Sequence, residues 1–212
     1  MLTKQLEVWS QYPANVQIVV VDDGSPLHPI SGVLAGRTLP NVAIYRINEN
    51  VEGNVAGARN LAFLKAHNGW VVNLDIDHIL PAISLNKLLK IESTLDPSRT
   101  YLPYRMQQFE GVGLKPLAPH SDTYILTRDL YWSIGGFDEA LTGYYHHGAC
   151  SHFKEAIKRT HPKVLNEVYT VYCGTDIVED SNPLGGMPKK THRGEWPVKK
   201  TLFNYTWNQI QL

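Results

Sequence analysis

NVAGARNLAFLKAHNGWVVNLDID, residues 54–77, contains one helix and one strand joined by a single turn. Ala56, Leu61, Leu64 and Lys65 recur at helical spacing, and Asn68-Gly69 is a C-terminal stop. Trp70-Val-Val-Asn-Leu74 follows at once as an apolar run of strand length. Upstream, Gln17-Ile-Val-Val-Val21 and Val42-Ala-Ile-Tyr-Arg-Ile47 are runs of the same kind. Strand, helix and strand therefore alternate, as a parallel sheet with crossover helices requires, and the class is α/β.

The remaining segments extend this pattern. Leu2, Leu6 and Trp9 predict a helix over Leu2 to Ser10, stopped by Tyr12-Pro13, and the first strand is expected over Val16 to Val21. After Pro81, Ser84 can cap a helix carrying Leu85, Leu88, Leu89, Ile91 and Leu95, which Asp96-Pro97 ends. Thr100 to Phe109 is expected as a strand, Gly111 to Pro119 as a loop, and Asp122 to Thr127 as a strand. A short helix over Asp129 to Ile134, a helix over Ser151 to Arg159 and a final strand over Glu167 to Tyr172 complete the core. Beyond Cys173 the chain turns basic, with Lys189, Lys190, His192, Arg193, Lys199 and Lys200.

The chain has 212 residues, enough for one domain with a full core. Its formal net charge is zero, so no global field recruits nucleic acid or an anionic membrane, and any phosphate ligand must be held locally. Two cysteines, Cys150 and Cys173, are too few for a disulfide framework, and no Cys/His spacing matches a structural zinc site. With neither a secretory h-region nor an apolar run of about 18 residues, the expectation is a reduced cytoplasmic protein without membrane insertion.

Two acidic signatures end apolar runs: Val21-Asp-Asp-Gly-Ser25 and Asp75-Ile-Asp77. In open α/β sheets ligands bind beyond the carboxyl ends of strands, where both would lie. If Asp75 to Asp77 stays extended, its two carboxylates share a face about 7 Å apart. Hard oxygen ligands suit Mg²⁺ or Mn²⁺, whose remaining positions are filled by phosphates and water. Each motif alone is also the composition of an ordinary turn.

Their order carries more. Val21-Asp-Asp-Gly-Ser25, Asn54-Val-Ala-Gly-Ala-Arg-Asn60 opening a helix, Leu74-Asp-Ile-Asp77 and Gly135-Gly-Phe-Asp-Glu139 closely resemble the motif series of family-2-type glycosyltransferases with the GT-A fold, over roughly Leu2 to Arg159. The resemblance implies a mixed, mostly parallel central sheet flanked by helices, with residues 1–212 as one domain. It also implies a metal-dependent, inverting enzyme that transfers a hexose from a UDP-sugar, such as UDP-glucose, to a saccharide or glycan acceptor. Mn²⁺ or Mg²⁺ would neutralise the leaving diphosphate.

Carried over by position, the resemblance gives Asp22 and Asp23 to the base and ribose, and Arg59 to the neighbourhood of the nucleotide. It gives Asp75 to the ribose or the ion, and Asp77 to the ion directly. His78, beside them, is either a site residue or a packing residue. Lys189, Lys190 and Arg193 would contact the diphosphate and His192 would be a further metal ligand, with 174–212 as a tail closing over the donor.

Two departures stand out. Where the family supplies a catalytic carboxylate after Gly-Gly-Phe-Asp-Glu, the chain reads Leu141-Thr-Gly-Tyr-Tyr-His-His-Gly-Ala-Cys-Ser-His152, with none. His146, Asp138 and Asp122 are equal candidates for the base; His146 and His147 are alternatively walls of an acceptor pocket with Tyr144 and Tyr145. A catalytically weak scaffold that binds nucleotide or glycan is the alternative function. Second, the family's opening strand, ending in Pro-x-Tyr-Asn, is replaced by the helix at Leu2; either another segment, such as Thr201 to Gln209, fills its place, or the start holds unrecognised structure. Length, opening and missing acid also resemble the amino-terminal glycosyltransferase domain of a multidomain protein of a large algal virus, so a place in a larger protein is compatible.

Overall fold

In the computed structural model, the described residues are 2–25, 30–34, 36, 39–51, 53–109, 111–120, 122–142, 149–173 and 205–210. In chain order the first elements are α1 (Leu2–Trp9), β1 (Ile18–Asp22), α2 (Ile30–Leu34), β2 (Val42–Ile47), α3 (Val55–Lys65), β3 (Trp70–Asn73), β4 (His78–Ile79) and α4 (Ala82–Ile91). β5 (Tyr101–Phe109), β6 (Gly113–Leu117), β7 (Tyr124–Thr127), α5 (Arg128–Ser133), α6 (Ala149–Lys158), β8 (Lys163–Tyr172) and β9 (Trp207–Ile210) follow, with 3-10 turns at Glu92–Thr94 and Glu139–Leu141. The chain forms two units: Met1–Ala14, Asn68–Tyr131 and Ile157–Ile177 make one, and Asn15–His67, Trp132–Ala156 and Val178–Leu212 the other.

The second unit is built on a three-stranded sheet in the order β1-β2-β9. β1 is β-branched throughout its apolar part, a composition that suits a pleated, half-buried surface, and it pairs parallel with β2 from Ile18↔Val42 to Asp22↔Arg46. Tyr45, Ile47 and Leu61 form a buried cluster, packed by Val19, Val21, Ala43, Ala58, Leu64 and Tyr205. Asn54 caps α3, its Oδ1 accepting from the Gly57 amide at 3.0 Å. A Cβ at Gly57 would stand 2.6 Å from that same oxygen and 2.7 Å from the Tyr205 ring, so cap and ring together require glycine.

The first unit holds a sheet in the order β3-β7-β5-β8-β4, with β6 on β5. Tyr101, Tyr124, Ile125, Leu126 and Val168 fill its buried positions. α4 lies against β8: Ser84 is fully buried, and its hydroxyl accepts from the Tyr169 amide at 3.2 Å. From α1, Gln5, Leu6 and Trp9 are buried. Among the described residues, no helix is long and apolar enough to cross a membrane.

The architecture is mixed α/β, as expected, but the balance of strand directions is not. Among the described residues only β1–β2 and β5–β8 are parallel, whereas β2–β9, β3–β7, β4–β8, β5–β6 and β5–β7 are antiparallel. Direction depends on how the chain crosses between strands, and local composition does not encode it. α4 begins at Pro81–Ala82, and Ser84 is a core residue inside it, not its cap. The expected loop at Gly111 to Pro119 forms a hairpin instead: Gly111 and Gly113 take positive φ values of 70° and 86°, and Pro116 sits in an added strand.

The tail does supply a strand, though not beside β1. β9 pairs antiparallel with β2, from Ile44↔Ile210 to Ile47↔Trp207, on the side of β2 away from β1. Its seat is secured by Lys65, whose ammonium lies 3.6 Å from the Trp207 ring centroid, and by Thr206, whose amide and hydroxyl both donate to the Glu49 carboxylate. Among the described residues, β1 and β3 are each an end strand of their own sheet.

Candidate functional site

β1 ends on Asp22, which is 6% exposed. Its Oδ1 accepts from the amides of Gly24 at 3.0 Å and Ser25 at 2.8 Å, and its Oδ2 from that of Ile30 at 3.2 Å. One carboxylate thus ties the strand end to the following turn and to the start of α2. Gly24 makes the turn possible with φ of 103°, since a Cβ there would stand 2.6 Å from the Glu49 carbonyl oxygen. Asp23 is half-buried, and burial first, then the neighbouring Asp22 charge, push its carboxyl above the ordinary range against the hydrogen bond from Ser25.

Arg59 and Asn60 of α3 point into the same unit. Arg59 is 9% exposed, with its guanidinium 5.0 Å from the Phe137 ring centroid and one nitrogen 3.7 Å from Cys150 Sγ. Asn60 is fully buried: its amide donates to the Phe137 carbonyl at 3.0 Å and to Glu139 Oε1 at 2.7 Å, and its carbonyl accepts from the Phe137 amide at 3.0 Å. Two motifs that are far apart in sequence, Ala-Arg-Asn and Gly-Gly-Phe-Asp-Glu, are therefore one hydrogen-bonded assembly. Asp138 is 1% exposed and caps the turn Glu139–Leu141, accepting from the Ala140 amide at 3.0 Å.

In the other unit, Asp75 follows β3. The antiparallel register of β3 and β7 runs from Trp70↔Thr127 to Asn73↔Tyr124; continued two residues further, it sets Asp75 opposite Asp122. Asn73 fixes that approach, its amide donating to the Asp122 carbonyl at 2.7 Å. His120, two residues before Asp122, completes a group in which one ligand atom each of Asp75, His120 and Asp122 lie within 4.8 Å of one another. His120 Nδ1 is 3.8 Å from Asp75 Oδ2 and 3.1 Å from the Thr123 hydroxyl. Burial pushes the His120 pKa below its usual value; His78 adds to the fall, while Asp75, Asp122 and Asp77 oppose it.

Asp77 stands differently from the extended arrangement expected for it. β3 ends at Asn73, and residues 75–78 form a turn closed by the His78 amide donating to the Asp75 carbonyl at 3.0 Å. Gln5 of α1 holds this turn through bonds to the carbonyls of Ile76 at 3.1 Å and His78 at 2.8 Å, and the Cys173 amide donates to the Asp77 carbonyl at 2.8 Å. The alternation that would place Asp75 and Asp77 on one face does not apply inside a turn. Asp77 Oδ1 lies instead 2.6 Å from His78 Nδ1. Burial would raise this carboxyl, but the His78 hydrogen bond and the charges of His78 and His120 outweigh burial and hold it below the ordinary range.

The sequence-based candidates thus divide: Asp22, Asp23, Arg59 and Asp138 lie in one unit and Asp75, Asp77 and Asp122 in the other. His146, His147, Tyr144, Tyr145, Lys189, Lys190, His192 and Arg193 lie outside the described residues. Sequence reasoning missed His120, Asn73 and Gln5. The one available signal was His120-x-Asp122, an imidazole and a carboxylate two residues apart, both of metal-ligating type.

A family model described as "Glycosyl transferase family 2" matches residues 2–161. Among solved structures, a crystal structure of GalNAc-T7 with UDP, GalNAc and Mn²⁺ superposes with a TM-score of 0.60 at 14% identity, covering 81% of this chain and 40% of that one. The crystal structure of S. aureus TarS 1-349 gives 0.59 at 18% identity, covering 82% of this chain and 54% of that one. At such identities the likeness is one of fold, and the chain spans about half or less of each neighbour's length. No curated protein sequence matches, and none of these findings supports the narrower algal-virus resemblance.

Proposed function

The chain belongs to glycosyl transferase family 2 and has the GT-A fold, and from that premise we propose that it is a metal-dependent, inverting glycosyltransferase that moves a hexose from a UDP-sugar to a saccharide or glycan acceptor. The observation that carries the reading is the group Asp75, His120 and Asp122, gathered where the family's acidic motif follows its strand. The UDP and Mn²⁺ of the GalNAc-T7 structure support the choice of donor and ion.

The residues fit a divalent cation. Ligand bonds of about 2.0–2.2 Å need donor atoms no more than about 4.4 Å apart, so a group within 4.8 Å closes on an ion with a small shift. Two carboxylates and one imidazole suit Mn²⁺, with Mg²⁺ as the alternative. Bound there, the ion supplies the positive charge that a departing diphosphate needs. Asp75 belongs both to this group and to the turn that carries Asp77, whose carboxyl the His78 hydrogen bond and the His78 and His120 charges hold below the ordinary range against burial.

Asp22, Asp23 and Arg59 serve the nucleotide in this reading. Asp22 accepts from three backbone amides and Asp23 from Ser25, so Asp23 has the greater acceptor capacity left for ribose or base, with Asp22 shaping the turn that presents it. Lys189, Lys190, His192 and Arg193 keep the diphosphate and metal roles that the family gives them, within residues 1–212 as one functional domain. Of the two described candidates for the base, Asp138 is buried as a cap and Asp122 is taken up by the metal group, which favours His146. The capped Asp138 and the absence of a carboxylate in 141–152 also motivate the second reading, a nucleotide- or glycan-binding scaffold.

The test is UDP release across a panel of UDP-sugars with Mn²⁺, Mg²⁺ or EDTA. Release confined to one or two donors, abolished by EDTA and lowered roughly 100-fold in Asp75→Ala and Asp77→Ala, is the expected result. UDP binding with no release from any donor, with or without saccharide acceptors, would favour the binding scaffold.

A further inference from the structure

We propose that His78 is a positioning residue that aims both sides of the acidic turn: its Nδ1–H holds the Asp77 carboxylate, and its ring face seats His120. The proposal rests on the reading that this turn and its neighbours bind a divalent cation.

His78 has almost no freedom of its own. It opens β4, pairs with Tyr172 of β8, and is 1% exposed. Its carbonyl accepts from Gln5 at 2.8 Å, its amide donates to Asp75, and its ring leans on Tyr172 with centroids 5.3 Å apart. The ring is therefore oriented by packing, and the two half-buried groups, Asp77 and His120, take their positions from it. The Asp77 carboxylate, 31% exposed, meets Nδ1 at 2.6 Å; an ionised carboxylate only accepts, so the proton of this bond sits on Nδ1. Among the described residues Nε2 has no hydrogen-bond partner, so no second bond draws the ring elsewhere.

On its other side the ring stacks against His120, with centroids 4.2 Å apart and planes 25° from parallel. His120 belongs to the Asp75–His120–Asp122 group, so one buried ring touches a member of that group and the carboxylate of the turn beside it. Outer partners that hold ligand side chains in this way change metal affinity by about 10- to 100-fold when removed. Sequence position did not reveal this role, because a histidine at a strand end packs more often than it functions.

The experiment is calorimetric titration of Mn²⁺ into the full chain, with thermal melts, for wild type, His78→Phe and His78→Asn. Phe keeps a ring against His120 and Tyr172 but has no donor; Asn keeps a donor near the place of Nδ1 but has no ring. Expected is about a tenfold or greater loss of Mn²⁺ affinity in His78→Phe with a near-normal melt, and an intermediate affinity in His78→Asn. Equal Mn²⁺ affinity of wild type and His78→Phe overturns the role of the Nδ1–H, equal affinity of wild type and His78→Asn overturns the role of the ring, and either leaves the metal reading standing. No Mn²⁺ binding by wild type overturns both. Ring ¹⁵N NMR of wild type needs no variant: an Nδ1-protonated tautomer at neutral pH is expected, and an Nε2-protonated one overturns the proposal.

Discussion

Replacing Asn60 by Ala removes the joint between two motifs. Asn60, Phe137 and Glu139 are 0%, 0% and 3% exposed, so water cannot easily replace what the amide supplies. Two bonds to the Phe137 backbone contribute about 1 kcal/mol each and the bond to the Glu139 carboxylate about 2 kcal/mol, giving a loss of about 4 kcal/mol. That is a large part of the 5–15 kcal/mol typical of a folded domain. For a chain of this length it lowers the melting temperature by about 8–16 °C. Chemical and thermal unfolding followed by circular dichroism measure both quantities. Asn60→Asp, which keeps an acceptor for the Phe137 amide but sets a second carboxylate against Glu139, is expected to recover stability as pH falls towards 4, where carboxylates protonate. A loss under about 1 kcal/mol in Asn60→Ala would refute the reasoning and show that the two motifs hold their places without this amide.

His120 is expected to make the metal-free chain less stable in mild acid. Its folded pKa is depressed, so the unfolded chain takes up the proton first, near pH 6.5, and stability falls as pH drops from there through the folded pKa. Melts in EDTA between pH 8 and 5 should show this slope flattened in His120→Gln; an unchanged slope would remove His120 as its source. Gln5→Leu, which takes the donor from the carbonyls of Ile76 and His78, is expected to cost about 2 kcal/mol and to weaken Mn²⁺ binding, read by the same melts and titrations.

Much of what matters was legible because it is local. The apolar runs at Gln17 to Val21, Val42 to Ile47 and Trp70 to Leu74 became the strands Ile18–Asp22, Val42–Ile47 and Trp70–Asn73, and the helix of residues 54–77 starts at the Asn54 cap and ends before Asn68-Gly69. The hairpin at Gly113 to Leu117 was not legible: polar residues and a proline read as loop, and only pairing with β5 makes them a strand. The turn at Asp75 to His78 was misjudged for a similar reason, since its shape is imposed by Gln5 and by the Cys173 amide, residues distant in sequence.

The sequence by itself determined the class, the position of each acidic motif at a strand end, and the family, because periodicity, caps and motif order are properties of neighbouring residues. Only the tertiary structure decided which carboxylate has which company. The register of β3 on β7 brings Asp122 and His120 to Asp75, across more than forty residues of chain, while Asp77 turns to His78. A hydrogen-bond ladder set by the whole sheet makes that choice, and no local pattern of residue types contains it.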